Sequence, residues 1–304
     1  MFAFQRILVA VDFGTEGDYP DSTRQASDQA LWLAQQSKGQ VTFFHVIKAS
    51  PEIQEQMLRN QASPARDYFL RVEARLDESV SQAREKGVEA HRRIAFGRDW
   101  QETVREVCRE KHEIVLLGTR NRNLASRTLF GSFGMKLLRN CPCPVWIIKS
   151  STSLNPKSIF VAHDLTEVGS EALQLAASLA QSTGAQLHVL HVLEHPEFEA
   201  FLPTMAAQVV EERRQAGFAQ IDGELANFRL AAPARIKIED GTPYVEIINY
   251  LNRHPADLVV MGTVARAGLA GVLTGNTAEN LLPWIPCSII TLKPGAFVCP
   301  VPVA

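Results

Sequence analysis

Nowhere does the chain approach the ~20 consecutive apolar residues that a bilayer-spanning helix requires, so a membrane protein of that kind is not expected. The opening "MFAFQRILVAVDF" also lacks the basic start and small-residue cleavage site of a secretory leader, and a cytoplasmic protein is expected. Charge of one sign is missing too. Lys and Arg number 31 against 33 Asp and Glu, a formal net charge of −2, which leaves no electrostatic footprint for nucleic acid. Cysteines are few. The five, at 108, 141, 143, 287 and 299, are odd in number, scattered and without C-x-x-C spacing, which suits reduced thiols rather than a disulfide framework. There is no G-x4-G-K-(S/T) loop, which excludes a conventional P-loop ATPase. The "DFG" at 12–14 stands without any kinase catalytic-loop motif and is a coincidence of three letters.

What is present is a soluble composition, 46% hydrophobic and 21% charged, in 304 residues, enough for about two domains. The chain repeats itself. "RILVAVDFG" at 6–14 returns as "SIFVAHDLT" at 158–166, which sets Asp12 opposite Asp164. "VTFFHVI" at 41–47 returns as "LHVLHVL" at 187–193, which sets His45 and Val46 opposite His191 and Val192. From Gly97 onward the register is constant: Gly97 answers Gly241, Gly118 answers Gly262, Gly131 answers Gly275, Pro142 answers Pro286 and Cys143 answers Cys287. Two domains follow, 1–150 and 156–304. They are separated by the polar "SSTSLNP", which interrupts both apolar patterns and ends in proline. The second carries an apolar tail, "KPGAFVCPVPVA", that reads as a docked end.

Within each copy, short β-branched runs alternate with helical patterns, the signature of βαβ units and a parallel sheet. In the first copy the runs are 6–12, 41–47, 89–95, 114–118 and 144–149, five strands per domain. "EIVLLG" and "VWIIK" are continuously apolar, as strands covered by helices on both faces should be. Phe69, Val72, Leu76, Val80 and Ala83 recur at helical spacing, as do Trp100, Val104, Val107 and Lys111. The second copy offers Phe198, Leu202, Met205 and Val209, then Val245, Ile248 and Leu251, and all these stripes are expected in the core. The fold class is therefore α/β, two tandem copies of a five-stranded parallel-sheet sandwich.

Open parallel sheets take ligands outside the carboxyl ends of their strands, at the switch in strand order. Both glycine-rich segments fall there, "GTVARAGLAGVLTGNTAE" at 262–279 and its counterpart after Gly118. A loop that folds closely onto a helix start offers unpaired N–H groups to phosphate oxygens. Gly118 and Gly262 would turn the chain out of the fourth strand, and Gly131 with Ser132, or Gly275 with Asn276 and Thr277, would open the next helix.

The conjunction of "VAVD" or "VAHD" on the first strand, "HVI" or "HVL" ending the second, and the spaced glycines before a final strand resembles the universal stress protein family. The likeness is to its tandem form, and the segment at 262–279 is similar to the enterobacterial E type. The resemblance runs from about residue 5 to about 293. It implies a five-stranded α/β sandwich and, in the nucleotide-binding branch, ATP held with Mg²⁺ at a G-x2-G-x9-G-(S/T) motif. Other members of the family bind no nucleotide and act as regulatory or interaction proteins. Carried over by position, the nucleoside-contacting carboxylate falls on Asp12 and Asp164, and the backbone contact on Val46 and Val192. The phosphate loop falls on Gly118, Arg120, Asn121, Gly131, Ser132 and Phe133 in one half. In the other it falls on Gly262, Val264, Ala265, Gly275, Asn276 and Thr277. Both halves depart from the motif at its second glycine, which is Asn121 or Ala265. A left-handed backbone there suits Asn, whereas Ala would cost roughly 1–2 kcal/mol.

Arg120, Arg122 and Arg127 surround the first loop and only Arg266 lies in the second, so phosphate electrostatics favour the first half. "GNTAE" pairs Asn276 with Glu279 as a capping box would, an arrangement that satisfies helix donors with no ligand at all. "HVLHVLEHPEFE" gathers histidines and glutamates, but His188 and His191 are three apart on a strand and point to opposite faces, so no metal site is assigned. "CPCP" at 141–144 reads as a rigid entry to the last strand. Asp12, Asp164 and Ser132 form no triad or carboxylate pair, so no enzyme is expected beyond slow, incidental nucleotide hydrolysis. The leading expectation is a stress-response regulator that binds ATP or a related adenine nucleotide. The alternative is a nucleotide-free interaction module that accepts a protein partner or an apolar ligand. Homodimerisation is implied by the resemblance, although two fused copies already supply a pair of domains.

Overall fold

Why a crevice should form at all follows from how the strands are laid down. In the computed structural model, which describes residues 4–13, 19–59, 61–119, 131–149, 155–194, 203–263 and 276–302, each half is a parallel sheet flanked by helices. One compact unit holds the described residues of Ala3–Leu124 and Phe130–Ser150 together with those of Val298–Ala304. The other holds those of Ser151–Phe297.

In the first unit β1 (Arg6–Ala10), β2 (Gln40–Ile47), β3 (Glu89–Phe96), β4 (Ile114–Gly118) and β5 (Val145–Ile148) lie in the order β3-β2-β1-β4-β5. All the pairings are parallel, with Ile7 beside both Val41 and Ile114 and Val115 beside Val145. The order grows one way from β1 to β3 and the other way from β4 to β5, so the switch lies between β1 and β4. Helices α1 (Asp21–Ser37), α2 (Pro51–Leu58), α3 (Pro64–Glu85), α4 (Asp99–Glu110) and α5 (Gly131–Asn140) fill the crossovers. The central strands are buried on both faces: Ile7, Leu8, Val9, Ile114, Val115 and Leu116 are all fully covered. Helix α3 is set by a Ser63 cap, whose side chain accepts from Arg66 N at 3.1 Å, and by Pro64 in its first turn. Its stripe of Phe69, Val72, Leu76, Val80 and Ala83 is buried as the spacing requires. In α4, Val104 and Val107 are buried, but Lys111 is exposed because it ends the helix in a left-handed conformation, φ 53°.

The second unit repeats this plan with β6 (Ser158–Ala162), β7 (Gln186–Leu193), β8 (Arg235–Asp240), β9 (Leu258–Gly262) and β10 (Ser288–Leu292) in the order β8-β7-β6-β9-β10. Its helices are α6 (Glu167–Thr183), α7 (Pro203–Leu225), α8 (Pro243–Arg253) and the six-residue α9 (Asn276–Leu281). Two expected core stripes need correcting. On α7, Val209 is 39% exposed, while the buried positions are Gly217, Ile221 and Leu225, so the helix meets the sheet through its later turns. Phe198 and Leu202 lie outside the described residues, as does the Met205 side chain. On α8 the buried face is Ile247, Tyr250 and Leu251, and Val245 faces out in the first turn.

Candidate nucleotide crevice

Strand β1 stops at Ala10, two residues short of Asp12, so this carboxylate stands beyond the carboxyl end of the sheet rather than within it. A cavity of about 650 Å³ opens there, of the size that holds drug- or nucleotide-sized ligands. Asp12, Val46, Gly118, Gly131, Ser132 and Phe133 all line it. Five separate segments, after β1, at the end of β2, at the end of β4, at the start of α5 and along α2, therefore converge on one space. Gly131 has φ 60°, and Gly131 and Ser132 begin the ten-residue α5, whose first-turn amides are the donors a phosphate would use.

Gly118 does something other than the expected turn. A Cβ there would lie 2.3 Å from the Ser22 backbone, so glycine is required because the first turn of α1 rests directly on the end of β4. Gly262 stands in the same relation to α6, where a Cβ would meet the Val168 side chain at 2.9 Å. Both glycines are packing positions.

The rim contains groups that the sequence pattern did not mark. Lys48 donates from Nζ to Asp99 Oδ2 at 2.6 Å, and both line the cavity, which places an ammonium at its edge. Tyr68 reaches in from α3. Its hydroxyl is held above its ordinary pKa, first by burial and then by the neighbouring Asp12 charge. Ile53 and Met57 of α2 supply apolar wall. These residues sit on helices whose periodicity reports core and surface but not proximity to a particular strand end. Beneath them, His45 Nδ1 donates to the Val11 carbonyl at 2.9 Å, and the Phe13 ring packs edge-on against the imidazole at 4.6 Å. The histidine thereby ties β2 to the chain leaving β1.

The second crevice, about 480 Å³, is lined by Asp164, Val192, Gly262 and Thr277 among others. His191 repeats the tie, donating from Nδ1 to the His163 carbonyl at 2.8 Å. Asp164 Oδ1 accepts from Thr166 N at 3.1 Å and from Thr166 Oγ1 at 2.5 Å, while Thr166 Oγ1 accepts from Gly169 N at 3.3 Å. It is thus engaged in starting α6. Where the first half has Val11, the second has the buried His163. Its Nδ1 accepts from Leu165 N at 3.0 Å, and its Nε2 faces Glu224 Oε2 at 3.5 Å. Burial holds this imidazole below its ordinary pKa, with Glu224 opposing. Among the described residues lining this crevice none is Lys or Arg. Arg120, Asn121, Val264, Ala265 and Gly275 lie outside the described residues, as do Arg122, Arg127, Arg266 and the side chains of Asn276 and Glu279.

His188 and His191 part company as their spacing requires, His188 Nδ1 meeting Tyr250 Oη at 2.9 Å on the α8 side. No group of three or more metal-ligating side chains occurs among the described residues. Nor is any helix among them long and apolar enough to cross a membrane.

Comparison with known proteins places this geometry in context. The family model described as "Universal stress protein family" matches residues 3–149 and again 156–293. The chain is 24% identical to Universal stress protein E of Photorhabdus laumondii over 100% of its own length and 99% of that protein's. To Universal stress protein E of Escherichia coli K12 it is 24% identical, over 99% and 98%. Among solved structures, a functionally unknown protein from Pseudomonas aeruginosa superposes with a TM-score of 0.74 at 21% identity, covering 96% of this chain and 94% of that one. A universal stress protein from Archaeoglobus fulgidus does so with a TM-score of 0.66 at 18% identity, over 96% and 99%. At these identities the structural likenesses speak to the fold.

Proposed function

The chain belongs to the universal stress protein family, two domains in tandem and similar to the E type, and from that premise we propose that it is a cytoplasmic regulator that binds ATP or a related adenine nucleotide in its first half. The observation that carries this reading is the convergence of Asp12, Val46, Gly131 and Ser132 on one cavity of about 650 Å³ at the strand switch, with Lys48 at its edge. Asp12 and the Val46 backbone would take the nucleoside, and the α5 start would take phosphate oxygens, with Mg²⁺ accompanying a triphosphate. The reading assigns no catalytic residue, so turnover of Mg–ATP is expected to be slow.

In the second half the favoured reading is a structural loop. Asp164 is engaged with Thr166, and the described lining offers no Lys or Arg to a polyphosphate. The rival for the whole chain is a nucleotide-free interaction module that works through a homodimer or a protein partner.

Acid extraction of the purified protein followed by ultraviolet absorbance tests for carried nucleotide. Thermal melting of the emptied protein with Mg–ATP tests for binding, since a ligand at 100 times its Kd adds about 2.7 kcal/mol to the native state. Asp12→Asn should remove most of that shift and Asp164→Asn should leave it. An unchanged melting temperature in the parent protein would favour the interaction module.

A further inference from the structure

Four of the five cysteines, far apart in the sequence, gather in the first unit. Cys108 lies near the end of α4, and Cys141 and Cys143 occupy the turn between α5 and β5, their Sγ atoms 3.6 Å apart. The fourth is Cys299 of the tail. Arg105, one turn before Cys108, donates from Nε to the Pro302 carbonyl at 3.3 Å, so the tail runs beside α4. Cys299 Sγ lies 3.8 Å from the carbonyl of Asn140, the residue before Cys141, and Cys299 is among the neighbours that raise the pKa of the Cys108 thiol. Val301 is buried and anchors the strap, while Val298 is 81% exposed and leaves the approach to Cys299 open. Cys108 and Cys299 are both partly accessible, whereas Cys141 is buried.

We propose that Cys299 and Cys108 are a redox-modification site, at which a low-molecular-weight disulfide of the glutathione class converts two thiols into a disulfide that fastens the tail to α4. Cys299, at the open edge, attacks one sulfur of the incoming disulfide as its thiolate. A mixed disulfide forms and one small thiolate leaves, taking up the proton that Cys299 gave. Cys108 then surrenders its proton to solvent and attacks the Cys299 sulfur, expelling the second small thiolate, which is protonated in turn. Two protein thiols and one small disulfide become one protein disulfide and two small thiols, so atoms and electrons balance.

Burial, with Cys299 and Cys141 beside it, pushes the Cys108 thiol up to about 12, which leaves the first attack on the small disulfide to Cys299. The long chain between the two positions makes this the cross-link that most restricts the unfolded state. The proposal is independent of nucleotide binding and survives the failure of that reading.

The test uses the full chain, incubated with oxidised glutathione, alkylated with a maleimide, digested without reductant and read by mass spectrometry. The expected product is a linked peptide pair containing Cys108 and Cys299, with three of the five thiols still alkylated. The melting temperature should rise by roughly 5 °C and fall back with dithiothreitol. Cys299→Ser, which leaves the packed residues in place, should lose both effects, and Cys108→Ser should stop at a glutathione adduct on Cys299. Five free thiols after treatment, a first disulfide between Cys141 and Cys143, or a Cys108–Cys299 link with no change in melting would each overturn it.

Discussion

At Gly118 a single hydrogen atom decides how the first unit closes. An added methyl would lie 2.3 Å from the main chain of Ser22, which cannot swing aside as a side chain could. Gly118→Ala is therefore expected to destabilise by at least the ~1–3 kcal/mol typical of overpacking, read as a lower urea midpoint. Gly262→Ala should cost less, because its clash is with the rotatable Val168 side chain. Another residue-scale consequence concerns His112, whose pKa burial pulls down from 6.5 to about 4 against the raising influence of Glu110. The folded pKa is the depressed one, so the unfolded chain takes up the proton first as pH falls. This stabilisation is whole above about 6.5 and is lost between there and about 4. Urea midpoints should fall across that window, and His112→Phe should flatten the slope while leaving acid loss from other groups in place.

Elements inherit such local demands with different fidelity. Helix α3 could be drawn from the sequence because one unbroken stripe faces the sheet, and the structure adds its Ser63-Pro64 start. Ser63→Ala should cost about 1 kcal/mol through the lost bond to Arg66 N, measurable as a small drop in melting temperature with no change in fold. Helices α7 and α8 show the limit of the same reasoning. Val209 and Val245 are apolar at helical spacing, yet the turns bearing them lie away from the core face, and periodicity says which residues share a face without saying what that face meets. The crevices differ at this scale too. The first has a ten-residue helix behind Gly131, whereas the second has six residues in α9 followed by a 3-10 turn at Leu282–Trp284. Fewer aligned peptides stand behind any anion placed there.

For the whole molecule, the proposed asymmetry makes stoichiometry the sharpest measurement. Calorimetric titration of nucleotide-free protein with Mg–ATP should saturate at about one nucleotide per chain if only one half binds. Two equal sites would overturn the proposed asymmetry. The duplication and the βαβ alternation were legible in the chain, because strand burial and repeat register leave their mark on neighbouring residues, whereas Asp12, read as the end of the first strand, stands two residues beyond it. Lys48, Tyr68 and the α2 wall were not, since their nearness to the β1–β4 switch depends on how crossovers fold back rather than on local pattern. Nor could spacing reveal that Asp164 turns to Thr166, that the end-of-strand glycines serve helix packing, or that cysteines from a helix, a turn and the tail share one place. Sequence alone determined the repeated architecture, because hydrophobic period is a local property. Which side chains gather at each strand switch, and that the tail's cysteine comes beside the α5–β5 turn, was decided by tertiary structure, because both depend on distances between segments that no interval along the chain records.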